Sequence, residues 1–462
     1  MEYTSAIILA GGEGRRMRSS TPKVLHSIGG ASLLEWIVQS LHQAQGQPAG
    51  NEIIVVGSKL LFAHEMWPTV SKNLAGLAGN VRFIEQAEPR GTGHAVQVAL
   101  QCVDERAQNI LICNGDVPFV RKETFLQLLT QRQHQSPHSS QHYQQQNGIC
   151  LLAMRINTPE QATYGRIILH QNSPVDIVEA ADASDEQKKI NLVNVGVYCF
   201  SKKCLTDVIF RLDNKNRAGE FYLTDAVRLA HESGFCNSYI EIPAEEGAGI
   251  DTIDALIHSR FMEMLVARAI AAGATFQDPK SAVLSYDTKV GPGCTIGAFN
   301  VFGKNVVLEG GVMVLPFCYL EDCIIKRGST IGPFARIKGG SVVGEDTTIG
   351  NFVEVKKAAI GNCTKIKHLA YIGDATIGNA VNIGAGTIFC NFDGVKKHAT
   401  IVGDNAKVGA NVSLVAPLTI GEAAFIGAGS VITKDIPKET LAVARAGQVH
   451  NAQWLAKKLS KK

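Results

Sequence analysis

Residues 9–23, LAGGEGRRMRSSTPK, set Gly11, Gly12 and Gly14 beside Arg15, Arg16, Arg18 and Lys23, directly after an apolar run from Ser5 to Leu9. Glycine lets a backbone approach a ligand closely, and clustered cations suit a ligand with several negative charges. The chemistry this spacing serves is the holding of phosphates, so a phosphate-bearing substrate is the expectation. A tight turn with solvated basic neighbours is the plainer alternative.

Such a loop needs a sheet to carry it. Apolar runs at 53–57, 81–85, 109–113, 149–154 and 193–200 alternate with helical patterns at 32–44, 93–103 and 122–133, where apolar residues recur three and four apart. This rhythm implies an α/β fold with a mostly parallel sheet covered on both faces. Ligands of such sheets sit beyond the carboxyl ends of the strands, where the opening loop lies. The polar, low-complexity segment 134–148 reads as a surface insertion.

The character changes from about residue 285. An aliphatic or aromatic residue recurs every six positions: Val290, Ile296, Phe302, Leu308, Val314 and Leu320, then Ile331, Ile337, Val343, Ile349 and Val355, then Val402, Val408, Leu414, Ile420, Ile426 and Ile432. Period six belongs to a parallel β-helix, whose short strands stack these side chains inside each coil. Three hexapeptides per coil predict roughly eight coils over about 150 residues, spaced by ~4.8 Å. The phase breaks at 389–401, where a loop must leave the coil. Between the halves, 252–273 has helical spacing and predicts a linker helix.

Composition narrows the class. A chain of 462 residues is long enough for two or more domains. With 19% charged residues and a net charge of +3, no strong field points to nucleic acid or to an acidic membrane surface. The N-terminal apolar run is too short for a signal peptide, and no stretch reaches the length of a membrane span, so a cytoplasmic protein is expected. Eleven cysteines without a C-x-x-C pair read as core residues, neither a disulfide framework nor a zinc site. The basic tail QWLAKKLSKK reads as a solvated end.

LAGGEGRRM with PKVLH, QAEPRGTGHAV (86–96), CNGDVP (113–118), YGRI (164–167), NVGVY (194–198) and EFYLTDAV (220–227) resemble, in that order, the sugar-1-phosphate nucleotidyltransferases. Joined to a hexapeptide solenoid carrying NFVEVKK, HLAYIGDA and NIGAGTIFCNFDG, nearly the whole chain resembles one family. That family is the bacterial bifunctional N-acetylglucosamine-1-phosphate uridylyltransferase and glucosamine-1-phosphate acetyltransferase, which supplies precursor for peptidoglycan and lipopolysaccharide. The resemblance implies a Rossmann-like nucleotidyltransferase domain at 1–251, a linker helix at 252–273, and a left-handed parallel β-helix with a C-terminal tail at 274–462. Period six alone leaves the hand open, since most parallel crossovers are right-handed.

For uridylyl transfer, a sugar phosphate oxygen attacks the α-phosphorus of UTP and pyrophosphate leaves, so the protein must position anions and neutralise growing charge. The resemblance assigns Gly12, Gly14 and the catalytic Arg16 and Lys23 to the triphosphate, Leu9 to the nucleotide, and Gln86, Gly91 and Thr92 to the uracil. It assigns Gly165, Glu179 and Asn194 to N-acetylglucosamine-1-phosphate, and Asp116 to Mg²⁺, a hard cation suited to oxygen ligands. The second metal ligand, usually asparagine in the family, falls on Asp251, and Arg15 replaces the usual threonine.

For acetyl transfer from acetyl-CoA, an ammonium must lose its proton before it is a nucleophile, and histidine is the base that titrates near neutrality. The resemblance makes His368 that base and gives Asn391 to orienting it and stabilising the tetrahedral oxyanion. Lys338, Lys356, Tyr371, Asn382 and Lys397 fall on the sugar phosphate, with Lys397 reaching a neighbouring subunit. Ala385, Asn391, Phe392, Ala410, Ala428 and Arg445 fall on acetyl-CoA. Lysine at 338 replaces the family's arginine and loses the bidentate fork. A homotrimer acting on small molecules is implied. The rival readings are a single-activity nucleotidyltransferase with a structural or regulatory solenoid, and a non-enzymatic trimeric scaffold.

Overall fold

The computed structural model describes residues 3–12, 14–45, 52–133, 146–157, 163–257 and 261–459. The chain divides into two compact units, Met1–Phe261 and Met262–Lys462. The division falls inside the segment expected to form one linker helix. Its described parts are the helices Ile253–Ile257 and Phe261–Ala271, with 258–260 outside the described residues. Phe261 belongs to the first unit because its ring packs edge-on against Trp36 at 4.2 Å and stacks on Phe119 at 5.5 Å.

In the first unit, Thr4–Ala10 lies between the parallel strands Glu52–Gly57 and Asn109–Asn114, and Val81–Glu85 extends the sheet in the same sense. Leu192–Ser201 is antiparallel to Asn109–Asn114, Gln146–Arg155 and Arg166–His170, and Ser173–Val178 is antiparallel to Arg166–His170, so the mostly parallel sheet carries two reversed strands. Alternation then sorts each strand between two cores. Ala6, Ile8 and Ala10 face one buried cluster and Ile7 the other. Helices Leu33–Gln45 and Lys122–Gln133 contribute Leu34, Ile37, Phe125 and Leu128 to the first cluster; Thr92–Leu100 contributes Val96 to the second. The expected insertion 134–148 lies outside the described residues up to 145. Gln146 and Asn147 instead open a strand, because they pair in register with Phe235 and Cys236.

The second unit is a parallel β-helix. One ladder stacks ten strands from Thr275–Phe276 to Leu441–Ala442, more than the eight coils expected, because coiling starts before residue 285. The residues at step six point inward: Ile331, Ile337, Val343, Ile349 and Val355 have no exposed surface. Val290 alone of the predicted set is half-buried. The coil is not uniformly three hexapeptides, however. Val355 is followed by inward Ile360, and Ile372 by inward Ile377, a five-residue side where the chain turns through Lys357 (φ 50°) and Asp374 (φ 48°). Equivalent residues in these coils are therefore 17 apart, as in the hydrogen bond from Ala358 to Ser341.

Seven of the eleven cysteines are buried, as core residues should be. Among the described residues no helix is long and apolar enough to cross a membrane.

Candidate active sites

The glycine loop leaves the sheet at the carboxyl end of Thr4–Ala10, between the parallel strands Glu52–Gly57 and Asn109–Asn114. Gly14 has φ +64°, and a Cβ there would stand 2.8 Å from the Lys23 Cβ, so glycine alone lets the loop pass this close. The Gly115 amide donates to the Leu9 carbonyl at 2.8 Å, folding the next strand-end turn against the first and bringing in Asp116. The Ile250 amide donates to the Asp116 carbonyl at 2.8 Å, which brings Asp251 to the same place.

The result is a cleft of about 500 Å³, lined from the loop by Leu9, Gly12, Gly14, Arg16 and Lys23, and by Gln86, Gly91, Thr92, Asp116 and Asp251. The Lys23 ammonium is 2.5 Å from Asp116 Oδ2 and also contacts Asp251 Oδ1, while Arg16 Nη2 lies 2.9 Å from Asp251 Oδ2. Burial by itself would lower the Lys23 pKa. The Asp116 and Asp251 carboxylates outweigh it, and the net shift is upward.

Gln86 is buried, with Nε2 on the Gly91 carbonyl at 3.2 Å and 2.9 Å from His94 Nδ1. The Thr92 hydroxyl accepts from the Leu223 amide at 3.0 Å, so EFYLTDAV props the segment that carries Gly91 and Thr92. Gly165, Glu179 and Asn194 form a second group. The Asn194 amide donates to the Gly165 carbonyl at 2.9 Å, and a Cβ on Gly165 would lie 3.5 Å from either Glu179 carboxylate oxygen. The Thr224 hydroxyl donates to Glu179 at 3.1 Å. Burial nevertheless holds the Glu179 pKa above the usual carboxylate range. Tyr164 links the groups, its hydroxyl accepting from the Gly249 amide at 3.1 Å.

In the β-helix, strand pairing brings distant residues side by side. Lys338 pairs with Lys356, and Glu354 with Tyr371. Lys338 Nζ lies 3.6 Å from Glu354. Lys397, then Lys338 and Lys357, press the Lys356 pKa down by repulsion, an arrangement that an anion would relieve. Lys397 therefore lies close enough to Lys356 of its own chain to act on it. The reason is that its loop closes on itself: Phe392 bridges Lys397, and Asp393 accepts from the Val395 and Lys396 amides at 2.8 Å. His398 Nε2 lies 2.6 Å from Asp393 Oδ2, and these contacts hold the Asp393 carboxyl down to about 2.

Asn351 pairs with His368, and its Oδ1 lies 2.7 Å from His368 Nδ1. An amide oxygen only accepts, so in this contact Nδ1 would carry the ring proton and Nε2 the free lone pair. Asn391, expected to orient the base, is buried and donates instead to Asp374 at 2.5 Å. Asn382, facing solvent, follows Lys365 on the next coil.

Below His368, one corner of the coil forms a column. The Asn411 amide donates to the Ala385 carbonyl at 2.7 Å and the Gly429 amide to the Ala410 carbonyl at 2.8 Å, while Arg445 Nη1 reaches the Ala428 carbonyl at 2.7 Å. Small side chains along a corner leave room for an extended ligand, and Arg445 ends it with a cation. Phe392 is 59% exposed in the adjoining loop.

Residues 6–215 match the MobA-like NTP transferase domain, 270–368 and 319–415 the GMPPB C-terminal domain, and 399–434 the bacterial transferase hexapeptide repeats. The chain is 36% identical to the bifunctional protein GlmU of Acinetobacter baylyi, covering 98% of each. It is 37% identical to that of Zymomonas mobilis (98% of this chain, 97% of the relative) and 35% identical to that of Clostridium botulinum (99% of each). The chain belongs to the GlmU family.

As a GlmU-family protein it is a bifunctional transferase, one unit a nucleotidyltransferase and the other a hexapeptide acyltransferase. Of the residues around the two GlmU-type sites, Asn114 and Glu220 line the cleft without having been singled out in the sequence. Asn351, Glu354 and Asp374 likewise emerge only as partners of His368, Lys338 and Asn391. A reading of the solenoid in steps of 17 residues would have found Asn351 and Asp374. Glu220 opens the motif EFYLTDAV, and Asn114 lies in CNGDVP, so both stand in motifs that the sequence already marks.

Proposed function

We propose that the first unit transfers a uridylyl group from UTP to N-acetylglucosamine-1-phosphate, and that the second acetylates glucosamine-1-phosphate from acetyl-CoA. The observation that carries this reading is that one chain holds two separately built constellations, Lys23 with Asp116 and Asp251, and His368 with Asn351 above the Ala385–Ala410–Ala428 corner.

In the first reaction, Lys23, Arg16 and the amides of the glycine loop hold the triphosphate. Gln86, Gly91 and Thr92 take the uracil edge, and Gly165, Glu179 and Asn194 the sugar. A phosphate oxygen attacks the α-phosphorus and the bond to pyrophosphate breaks; the cations offset the charge that grows on the leaving oxygen. Asp116 and Asp251 fit a Mg²⁺ ion: two carboxylates are a hard donor set with room left for water and phosphate, and both already attract a cation. When bound, Mg²⁺ supplies Lewis-acid stabilisation of phosphoryl oxygens.

In the second reaction, His368 Nε2 takes a proton from the substrate ammonium. The amine attacks the thioester carbonyl and coenzyme A leaves as the thiol. Lys338, Lys356 and Lys397 hold the phosphate with Tyr371 and Asn382, and Arg445 holds the coenzyme at the far end of the column. The family's left-handed coil, a homotrimer and a cytoplasmic location complete the reading; exposed Phe392 and Val395 on the 391–399 loop favour burial against another copy.

The deciding experiment assays Asp116→Asn for both reactions. Pyrophosphate release from UTP should fall while coenzyme A release persists. Equal loss of both in a protein that is still folded would remove the two-site reading.

A further inference from the structure

The cluster at the mouth of the glycine loop contains two cations and two carboxylates, and every one is already paired. Lys23 Nζ touches Asp116 Oδ2 at 2.5 Å and also Asp251 Oδ1; Arg16 takes the remaining Asp251 oxygen at 2.9 Å. The Lys23 side chain is only 11% exposed, so its ammonium has little water to retreat to. The groups suited to phosphates are thus occupied by the groups suited to a divalent cation, and the reverse.

We propose that Lys23 competes with a divalent cation for Asp116 and Asp251, so that triphosphate and cation enter this site together. This rests on the reading of Asp116 and Asp251 as the cation's ligands. The argument is one of charge balance. If the carboxylates turn to a divalent cation alone, the Lys23 ammonium is stranded beside it, a like-charge contact in a partly desolvated place. If Lys23 and Arg16 turn to a triphosphate alone, two carboxylates are stranded beside several negative charges. Only when both arrive does each protein charge change partners without losing one.

Asp251 makes the competition sharp. Its carboxylate gives Lys23 a second full charge, where an amide would give only a dipole. The two cations and two carboxylates form a closed, self-neutralised cluster.

The test uses Mn²⁺ as the probe, with free ion counted by electron paramagnetic resonance on the full-length protein, with and without a non-reactive α,β-methylene analogue of UTP. Wild type should bind Mn²⁺ weakly alone and at least about tenfold more tightly with the analogue. Lys23→Met should bind Mn²⁺ alone about tenfold more tightly than wild type, and Lys23→Arg, which keeps the charge, should stay as weak as wild type. Circular dichroism melts identify any variant that fails to fold, and the Lys23→Arg comparison then stands by itself: strong Mn²⁺ binding without nucleotide in Lys23→Arg would overturn the proposal. So would an unchanged Mn²⁺ affinity in folded Lys23→Met, provided Asp116→Asn abolishes the nucleotide-dependent Mn²⁺ of wild type; that pattern leaves the cation reading intact. Retention of that Mn²⁺ in Asp116→Asn would instead overturn the cation reading, and the proposal with it.

Discussion

His368 Nδ1 faces the side-chain oxygen of Asn351 at 2.7 Å, from the neighbouring coil of the same ladder. An amide oxygen can accept a hydrogen bond but not donate one, so this contact favours the tautomer with the proton on Nδ1 and the lone pair on Nε2. Asn351→Ala should therefore lower kcat for acetyl transfer by on the order of tenfold, with KM nearly unchanged. Asn351→Asp, which keeps the acceptor, should recover most of the rate. Equal damage by both substitutions would show that the side chain only packs.

Removing the base itself should be more severe and confined to one reaction. His368→Ala is expected to cost on the order of 10² to 10⁴ in acetyl transfer, the usual range for general-base catalysis. Uridylyl transfer, assayed with N-acetylglucosamine-1-phosphate supplied directly, should stay near its starting rate. Parallel loss of both rates in a folded protein would require a coupled site.

Gly14→Ala places a methyl 2.8 Å from the Lys23 Cβ at a backbone angle of φ +64°. The left-handed conformation alone costs about 1–2 kcal/mol for an alanine. Relief by a shift of Lys23 would loosen its hold on Asp116 and Asp251. The KM for UTP should rise, on the order of tenfold for the upper part of that cost, while coenzyme A release is unaffected.

Glu179 gives a pH prediction. Burial raises its folded pKa above the unfolded value, so its contribution to stability is full below the ordinary carboxylate pKa and is lost as pH rises through the folded pKa. Glu179→Gln, which never ionises, should melt at a higher temperature than wild type at pH 8. The gap should narrow as the pH falls toward 4. The same variant should use N-acetylglucosamine-1-phosphate poorly. A gap that did not change with pH would show that Glu179 ionisation is not the cause.

Much of this protein is written locally in its residues. The opening loop declares itself because Gly11, Gly12 and Gly14 with Arg16 and Lys23 are close in sequence as well as in space. The solenoid declares itself because the inward positions obey one short period, and Ile331, Ile337, Val343, Ile349 and Val355 are buried where that period puts them. Hydrophobic burial depends on the side chain's own pattern, so neighbours along the chain suffice to reveal it.

Which polar groups meet is decided by the length of the path between them. A coil of three full hexapeptides would set Leu369 opposite Asn351; the five-residue side shortens the coil and sets His368 there, 17 residues on. The same step brings Asp374 to Asn391. In the first unit, Lys23 meets Asp116 across 93 residues and Asp251 across 228. Those pairings depend on strand order and on backbone bonds such as Ile250 to Asp116, and no local period carries that information. Sequence therefore determined the elements and the kinds of groups they present, whereas the tertiary structure decided their partners, because register and coil length are properties of the whole folded path.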